Sequence, residues 1–179
     1  MFRKYYVGAI ALKIIVDTNR LLIREFIRQD AEDLYKLESD SRVIEYIPGS
    51  RLLSLNECRR EIKKYINNYK TNNLSRWPVF LKSTNEFIGV TGFRYLPSIK
   101  KTEIGTKLIP SFWGNGYSTE LGNAIINYGL IKMKLNEIIA MADPENIKSI
   151  KSLESLGMKF VKYGYYNGNR VAYYNIYKW

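Results

Sequence analysis

The stretch "SFWGNGYSTE", Ser111–Glu120, sets Gly114 and Gly116 two residues apart just before a helical pattern begins. Leu121, Ala124, Ile125 and Tyr128 then recur at helical spacing, which predicts a helix over about 117–132. The first N–H groups of a helix have no partner within it, and the positive end of its dipole lies there. Glycine lets another group come close to the backbone and reaches positive φ without strain. Such a loop suits a phosphate group. A plain strand-to-helix turn would use the same two glycines, so the surroundings must decide.

Upstream lie three strand-like segments: Trp77–Lys82, Phe87–Tyr95 after the "STNE" turn, and Thr102–Ile109, which runs straight into the loop. Before them, Arg20–Phe26 reads as a first strand and Asp30 opens a helix to about Ser39, with Ala31, Leu34 and Leu37 on one face. Ser54 and Glu57 form a capping box for a second helix lined by Cys58, Ile62, Tyr65, Ile66 and Tyr69. After the loop helix come a short strand, Ile138–Ala142, and a helix from Asn146 to Leu156 that Gly157 stops. The chain ends in a hairpin, Phe160–Tyr166 and Arg170–Lys178, around an Asn167-Gly168 type I′ turn. The order is strand, two helices, three strands, helix, strand, helix, hairpin: an α/β layer fold over residues 1–179 as a single domain, with 1–12 as an N-terminal extension.

Composition narrows the chemistry. The chain has 179 residues, 46% hydrophobic and 25% charged, which fits a globular domain. It has no histidine and one cysteine, Cys58. That excludes Ser-His-Asp and Cys-His catalysis, histidine metal sites and a cysteine metal cluster. Cys58 on an apolar helix face reads as a core residue. The net charge of +11 favours anionic partners, whether a phosphorylated ligand, an acidic protein or nucleic acid, and a solvated lysine-rich surface would give the same total. No RNP-type aromatic motif supports nucleic acid, which is not an expected partner. Arg3, Lys4 and "YYVGAIAL" imitate a leader peptide, but Lys13 interrupts the short apolar run. A cytoplasmic location, away from any membrane, is the expectation.

The G-x-x-x-x-G-K-[ST] loop is absent, and Gly114–Thr119 lacks the third glycine of the dinucleotide fingerprint. The element order and four stretches together resemble the GNAT superfamily of N-acetyltransferases, particularly its ribosomal-protein N-terminal acetyltransferase branch. These are "RLLIREFIRQDAEDLYKL", "EIGTKLIPSFWGNGYSTEL", "PENIKSIKSLESLGMKF" and the terminal hairpin. The resemblance runs from about Arg20 to Trp179. It implies a mixed, mostly antiparallel central sheet with helices on both faces and a C-terminal β-hairpin.

The same resemblance implies an acyl donor, acetyl-CoA, and direct attack by an amine of a protein N-terminus or small molecule. The family's Gln/Arg-x-x-Gly-x-Gly/Ala pattern falls on Trp113, Gly116 and Ser118. Trp113, Gly114, Asn115, Gly116, Tyr117 and Ser118 would then hold the pyrophosphate, and the backbone of Leu108 and Ile109 would pair with the pantetheine arm like an added strand. Asn146 is either a second contact to that arm or an ordinary helix cap. Glu103 is a general base or a strand-end surface glutamate, and Ser149 is a proton donor or a cap residue. Many relatives carry a tyrosine acid where this chain has Leu153. Glu45, Tyr46, Tyr95, Tyr165 and Tyr166 would line the acceptor pocket. No carboxylate follows the Leu156-Gly157 pair, a departure from the ribosomal branch that leaves the acceptor open. A homodimer is compatible with these features, and a catalytically silent acyl-CoA sensor or RNA-associated module of the same fold is the alternative function.

Overall fold

The computed structural model describes residues 4–7, 10–47, 49–71 and 74–178, with side chains from Leu12 onward. Nine strands form one sheet: β1 (Lys4–Val7), β2 (Ile10–Asp17), β3 (Leu21–Arg24), β4 (Arg76–Leu81), β5 (Phe87–Leu96), β6 (Lys101–Leu108), β7 (Glu137–Ala142), β8 (Lys159–Tyr166) and β9 (Asn169–Tyr177). Their spatial order is β1-β2-β3-β4-β5-β6-β7-β9-β8. Neighbours are antiparallel except β6 and β7, which run parallel because a helix connects them.

The central strands β3, β4 and most of β5 are buried on both faces, which explains their apolar runs. In β4, Trp77, Val79 and Leu81 enter one core and Phe80 enters the other. The first core is closed by α4 (Tyr117–Asn127) and α5 (Ile147–Ser155), through Leu121, Ile125, Ile150 and Leu153. The second is closed by α1 (Ala31–Glu38) and α3 (Leu55–Thr71), through Leu34, Leu37, Cys58 and Ile62. Helices thus cover both faces, as the resemblance implies. Each fully buried Leu or Ile contributes about 1.5–3 kcal/mol relative to exposure.

The helix ends follow their sequence signals. The Ser54 N–H donates to Glu57 Oε2 (2.9 Å) and the Glu57 N–H to Ser54 Oγ (3.4 Å), the reciprocal pair of a capping box. Arg51 also binds Glu57 and, with Ser54, holds its carboxyl far below the usual carboxylate range. At the hairpin tip, Asn167 (φ 47°) and Gly168 (φ 80°) both adopt the left-handed conformation of a type I′ turn.

Three features differ from the sequence expectation. The segment expected as an extension, 1–12, contributes β1 and the start of β2, which pair with each other, and β2 goes on to pair with β3. A third early helix, α2 (Ser41–Ile44), follows α1, with the Asp40 carboxylate accepting from the Arg42 N–H. The loop helix is regular only to Asn127. Residues Tyr128–Lys132 widen into a π-turn, where the Met133 N–H donates to Tyr128 O (3.0 Å) five residues back. Among the described residues no helix is long and apolar enough to cross a membrane.

Candidate active site

β5 pairs with β6 along its length, out to Gly89 opposite Leu108, and β7 pairs with β9 from Glu137 to Ala142. Between β6 and β7 there is one pair, Glu103 opposite Ile139. Beyond it the two parallel strands part, and the sheet carries a wedge-shaped gap. The Ile109 N–H is spent on Ile88 O (2.9 Å). By alternation along an antiparallel ladder, Leu108 therefore turns its N–H and C=O toward the gap. Trp113 Nε1 donates to that Leu108 carbonyl (2.8 Å). Of the two residues expected to meet a pantetheine arm, Leu108 faces the gap with its backbone, while the Ile109 amide is committed to β5.

β6 leads through a 3-10 turn, Pro110–Phe112, into the glycine loop at the wide end of the gap. Gly114 (φ 79°) and Gly116 (φ 74°) are both left-handed, and Gly116 is the N-cap of α4 with no side chain capping it. A Cβ on Gly114 would meet no atom within 4 Å, so the loop stands clear of the protein on that side. The Glu120 N–H makes the first helical bond, to Gly116 O (3.1 Å). The amides of Tyr117, Ser118 and Thr119 precede it and have no intrahelical acceptor. Asn115 Nδ2 donates to Trp113 O (3.2 Å) and fixes the loop from within. Ser118 Oγ lies 3.2 Å from Ser152 Oγ, which ties α4 to α5.

Arg20, immediately before β3, was not singled out by the sequence. Its Nη1 donates to Asn115 O (3.0 Å), its Nε to Glu120 Oε2 (2.6 Å), and its guanidinium lies 4.5 Å from the centre of the Tyr117 ring. Glu120 Oε1 also accepts from the Arg20 N–H (2.9 Å) and Thr18 Oγ1 (2.6 Å). Burial pushes the Glu120 carboxyl up, but these bonds together hold it below its ordinary value. Arg20 and Glu120 are about a hundred residues apart in the chain, so no local pattern could join them.

Asn146 caps α5: its Oδ1 accepts from the Ser149 N–H (3.0 Å). That interaction uses the Ser149 amide and leaves its hydroxyl for other partners. Leu153, at the position where many relatives carry tyrosine, packs into the core below α4.

Glu103 stands at the narrow end of the gap, buried to 7% exposure. Its Oε2 accepts from Arg94 Nε (3.0 Å) and Nη2 (2.7 Å), and Arg76 Nη2 is 4.0 Å away. Arg76 crosses the face of β5 and β6, donating to both Gly92 O and Gly105 O (2.7 Å each). Burial pushes its guanidinium pKa down and Glu103 pushes it back up. The Tyr166 ring lies 5.9 Å from the Arg94 guanidinium. Tyr173, two positions beyond Ile139's level on β9, has its phenol pushed up by burial, then by Tyr166 and Glu103. Tyr173 was missed because only the register of β7 and β9 brings it to this face.

The remaining acceptor candidates separate. Glu45 and Tyr46 follow α2, and the Tyr46 phenol is raised first by Glu45 and then, after burial, by Glu145 and Asp143 of the β7–α5 loop. Tyr46 is thus within electrostatic reach of the β7–α5 loop. Tyr95 neighbours Arg94 on β5 and therefore projects from the opposite face of the sheet, away from Glu103. Tyr165 is 75% exposed and precedes Tyr166, so it too points the other way.

Comparison with known proteins bears on this geometry. Residues 20–159 match the family model described as an acetyltransferase (GNAT) domain. The chain belongs to the GNAT acetyltransferase family. It is 35% identical over 144 residues to the uncharacterised N-acetyltransferase YnaD of Bacillus subtilis, covering 80% of this chain and 82% of that one. A crystal structure of a GNAT-family acetyltransferase from Bacillus anthracis superposes with a TM-score of 0.78 at 29% identity, covering 91% of this chain and 98% of the other. The ribosomal L7/L12 alpha-N-protein acetyltransferase RimL, solved in complex with coenzyme A, shares the fold at 19% identity, with a TM-score of 0.78 over 92% and 97% of the two chains. The GNAT chain described here is accordingly an N-acetyltransferase, and acetyl-CoA is the co-substrate that its family membership implies.

Proposed function

We propose that this enzyme transfers acetyl from acetyl-CoA to a primary amine, of a peptide N-terminus or a small molecule, by direct attack within the gap between β6 and β7. One observation carries the reading. The gap has a loop of unpaired amides at its wide end and a buried carboxylate at its narrow end, with open strand backbone between them.

In this reading the amides of Gly116 to Thr119 bind the pyrophosphate, and the α4 dipole adds to the attraction. The pantetheine arm lies along Leu108 as an added strand, which sets the thioester near Glu103. Asn146 holds the arm through its free side-chain N–H while its oxygen caps α5. The amine attacks as the neutral base. Once its nitrogen bonds to the thioester carbon, the nitrogen-bound proton becomes far more acidic. The Glu103 carboxylate, bonded by Arg94 and with Arg76 4.0 Å away, can then accept it, directly or through water. Collapse expels the thiolate, and the Ser149 hydroxyl donates a hydrogen bond to it and relays a proton from water.

A thiol-release assay with acetyl-CoA over a panel of amines tests the proposal. Amine-dependent release that Glu103→Gln suppresses supports it. Tight acetyl-CoA binding with no release against peptides, polyamines or aminoglycosides would identify a sensor instead.

A further inference from the structure

We infer that Arg20 is a positioning residue for the acyl donor: it latches the glycine loop so that the loop amides face the pyrophosphate. The inference rests on the loop reading above. In a trans peptide the C=O and the following N–H point in opposite directions. Arg20 Nη1 holds the Asn115 carbonyl against β3 (3.0 Å), so the Gly116 N–H of the same peptide unit turns to the opposite side. A Cβ on Gly116 would meet Arg20 Nη2 at 3.5 Å, which puts the guanidinium on that glycine's Cβ side, and a Cβ on the neighbouring Gly114 would meet nothing within 4 Å. Without this bond, a residue pair with two left-handed glycines beside it can flip its peptide and present a carbonyl to the phosphate.

Glu120 aligns the latch. It takes the Arg20 Nε (2.6 Å), the Arg20 N–H (2.9 Å) and Thr18 Oγ1 (2.6 Å), which fixes the guanidinium plane beside the loop. Arg20 in turn neutralises a carboxylate in the first turn of α4, where an unpaired one would repel a phosphate. Arg20 is a surface side chain, 42% exposed, and its loss removes no core packing.

The test compares acetyl-CoA with S-acetylpantetheine, which keeps the arm and thioester but has no pyrophosphate. For Arg20→Ala, KM for acetyl-CoA should rise about 10–100-fold, the worth of charge-assisted hydrogen bonds to a phosphate. The kcat with acetyl-CoA should stay within about 3-fold, and kcat/KM for S-acetylpantetheine should fall by no more than about 2-fold. Equal loss on both donors would mean a general structural role and would overturn the inference. So would an unchanged KM. Adding Glu120→Gln to Arg20→Ala checks the mechanism. A persisting defect supports the latch, and recovery would assign the effect to the freed Glu120 charge and overturn it. Gly116→Val separates the underlying reading. If that variant also binds acetyl-CoA normally, the loop itself is misassigned; if it fails while Arg20→Ala does not, only the latch is wrong.

Discussion

Glu103→Gln keeps the shape of the side chain and one acceptor oxygen but removes the charge and the ability to take a proton. The structural cost can be worked from its partners. Arg94 binds Glu103 Oε2 at 2.7 and 3.0 Å, but its side chain is 51% exposed, so that pair is screened and contributes at most about 1 kcal/mol. Arg76 is more deeply placed and loses its nearest anion, 4.0 Å away. Removing one partner of a buried pair costs about 3–5 kcal/mol when nothing else holds the remaining charge. Arg76 keeps two carbonyl bonds, at Gly92 and Gly105, which reduces the loss to about 1–3 kcal/mol. For a chain of this length that lowers Tm by roughly 3–10 °C. Turnover should fall much further, about 10²–10⁴-fold, while acetyl-CoA affinity measured by calorimetry stays nearly constant. Both forms gain rate as pH rises and more of the amine is neutral, but the deficit should persist, because the proton that Glu103 takes leaves only after attack. A variant with full turnover near neutral pH, or one that loses acetyl-CoA binding altogether, would refute the assignment of Glu103 as the base.

Two further predictions concern α5 and the second core. Asn146→Ala removes the bond to the Ser149 N–H and should cost about 1 kcal/mol of stability, or roughly 2–4 °C in Tm. Acetyl-CoA should raise the Tm of the parent more than that of the variant; an equal shift in both would leave Asn146 as a cap alone. Cys58 is fully buried on the inner face of α3, and burial, with Glu38, Glu57 and Glu61 nearby, pushes its thiol up to about 11. The native enzyme at pH 8 should not react with a disulfide reagent such as Ellman's, and one thiol per chain should appear on denaturation. Rapid native labelling would contradict the packing of that core.

Several parts of this molecule were legible in the sequence because their signals are local. A glycine pair before a helical period, a Ser54–Glu57 capping box and an Asn-Gly turn each declare their structure within a few residues. The early hairpin was not legible in this way. Its apolar run, flanked by Arg3, Lys4 and Lys13, has the look of a leader peptide, and only pairing with β3 makes a strand of it. α2 is a four-residue helix, too short to show a period. The site was harder still. With fifteen tyrosines in the chain, strand parity decides which ones face the gap. Parity favours Tyr166 and Tyr173 over Tyr165 and Tyr95, and it follows from registers that no single segment encodes. Arg20, Arg76 and Arg94 were invisible for the same reason, since each acts on residues far away in the sequence.

The central claim is that the Gly114–Thr119 loop receives the pyrophosphate of acetyl-CoA, and calorimetric titration of acetyl-CoA into the parent and Gly116→Val tests it most directly. At φ 74° a β-branched residue carries about 1–3 kcal/mol of backbone strain, so the variant either retains the loop at that cost or rotates it out of shape. Rotation removes at least two charge-assisted hydrogen bonds to the phosphates, which corresponds to an affinity loss of about 10²-fold or more. We expect one saturable acetyl-CoA site per chain in the parent and that scale of weakening in Gly116→Val, with the variant still folded by circular dichroism. A folded Gly116→Val that binds acetyl-CoA as tightly as the parent would contradict it.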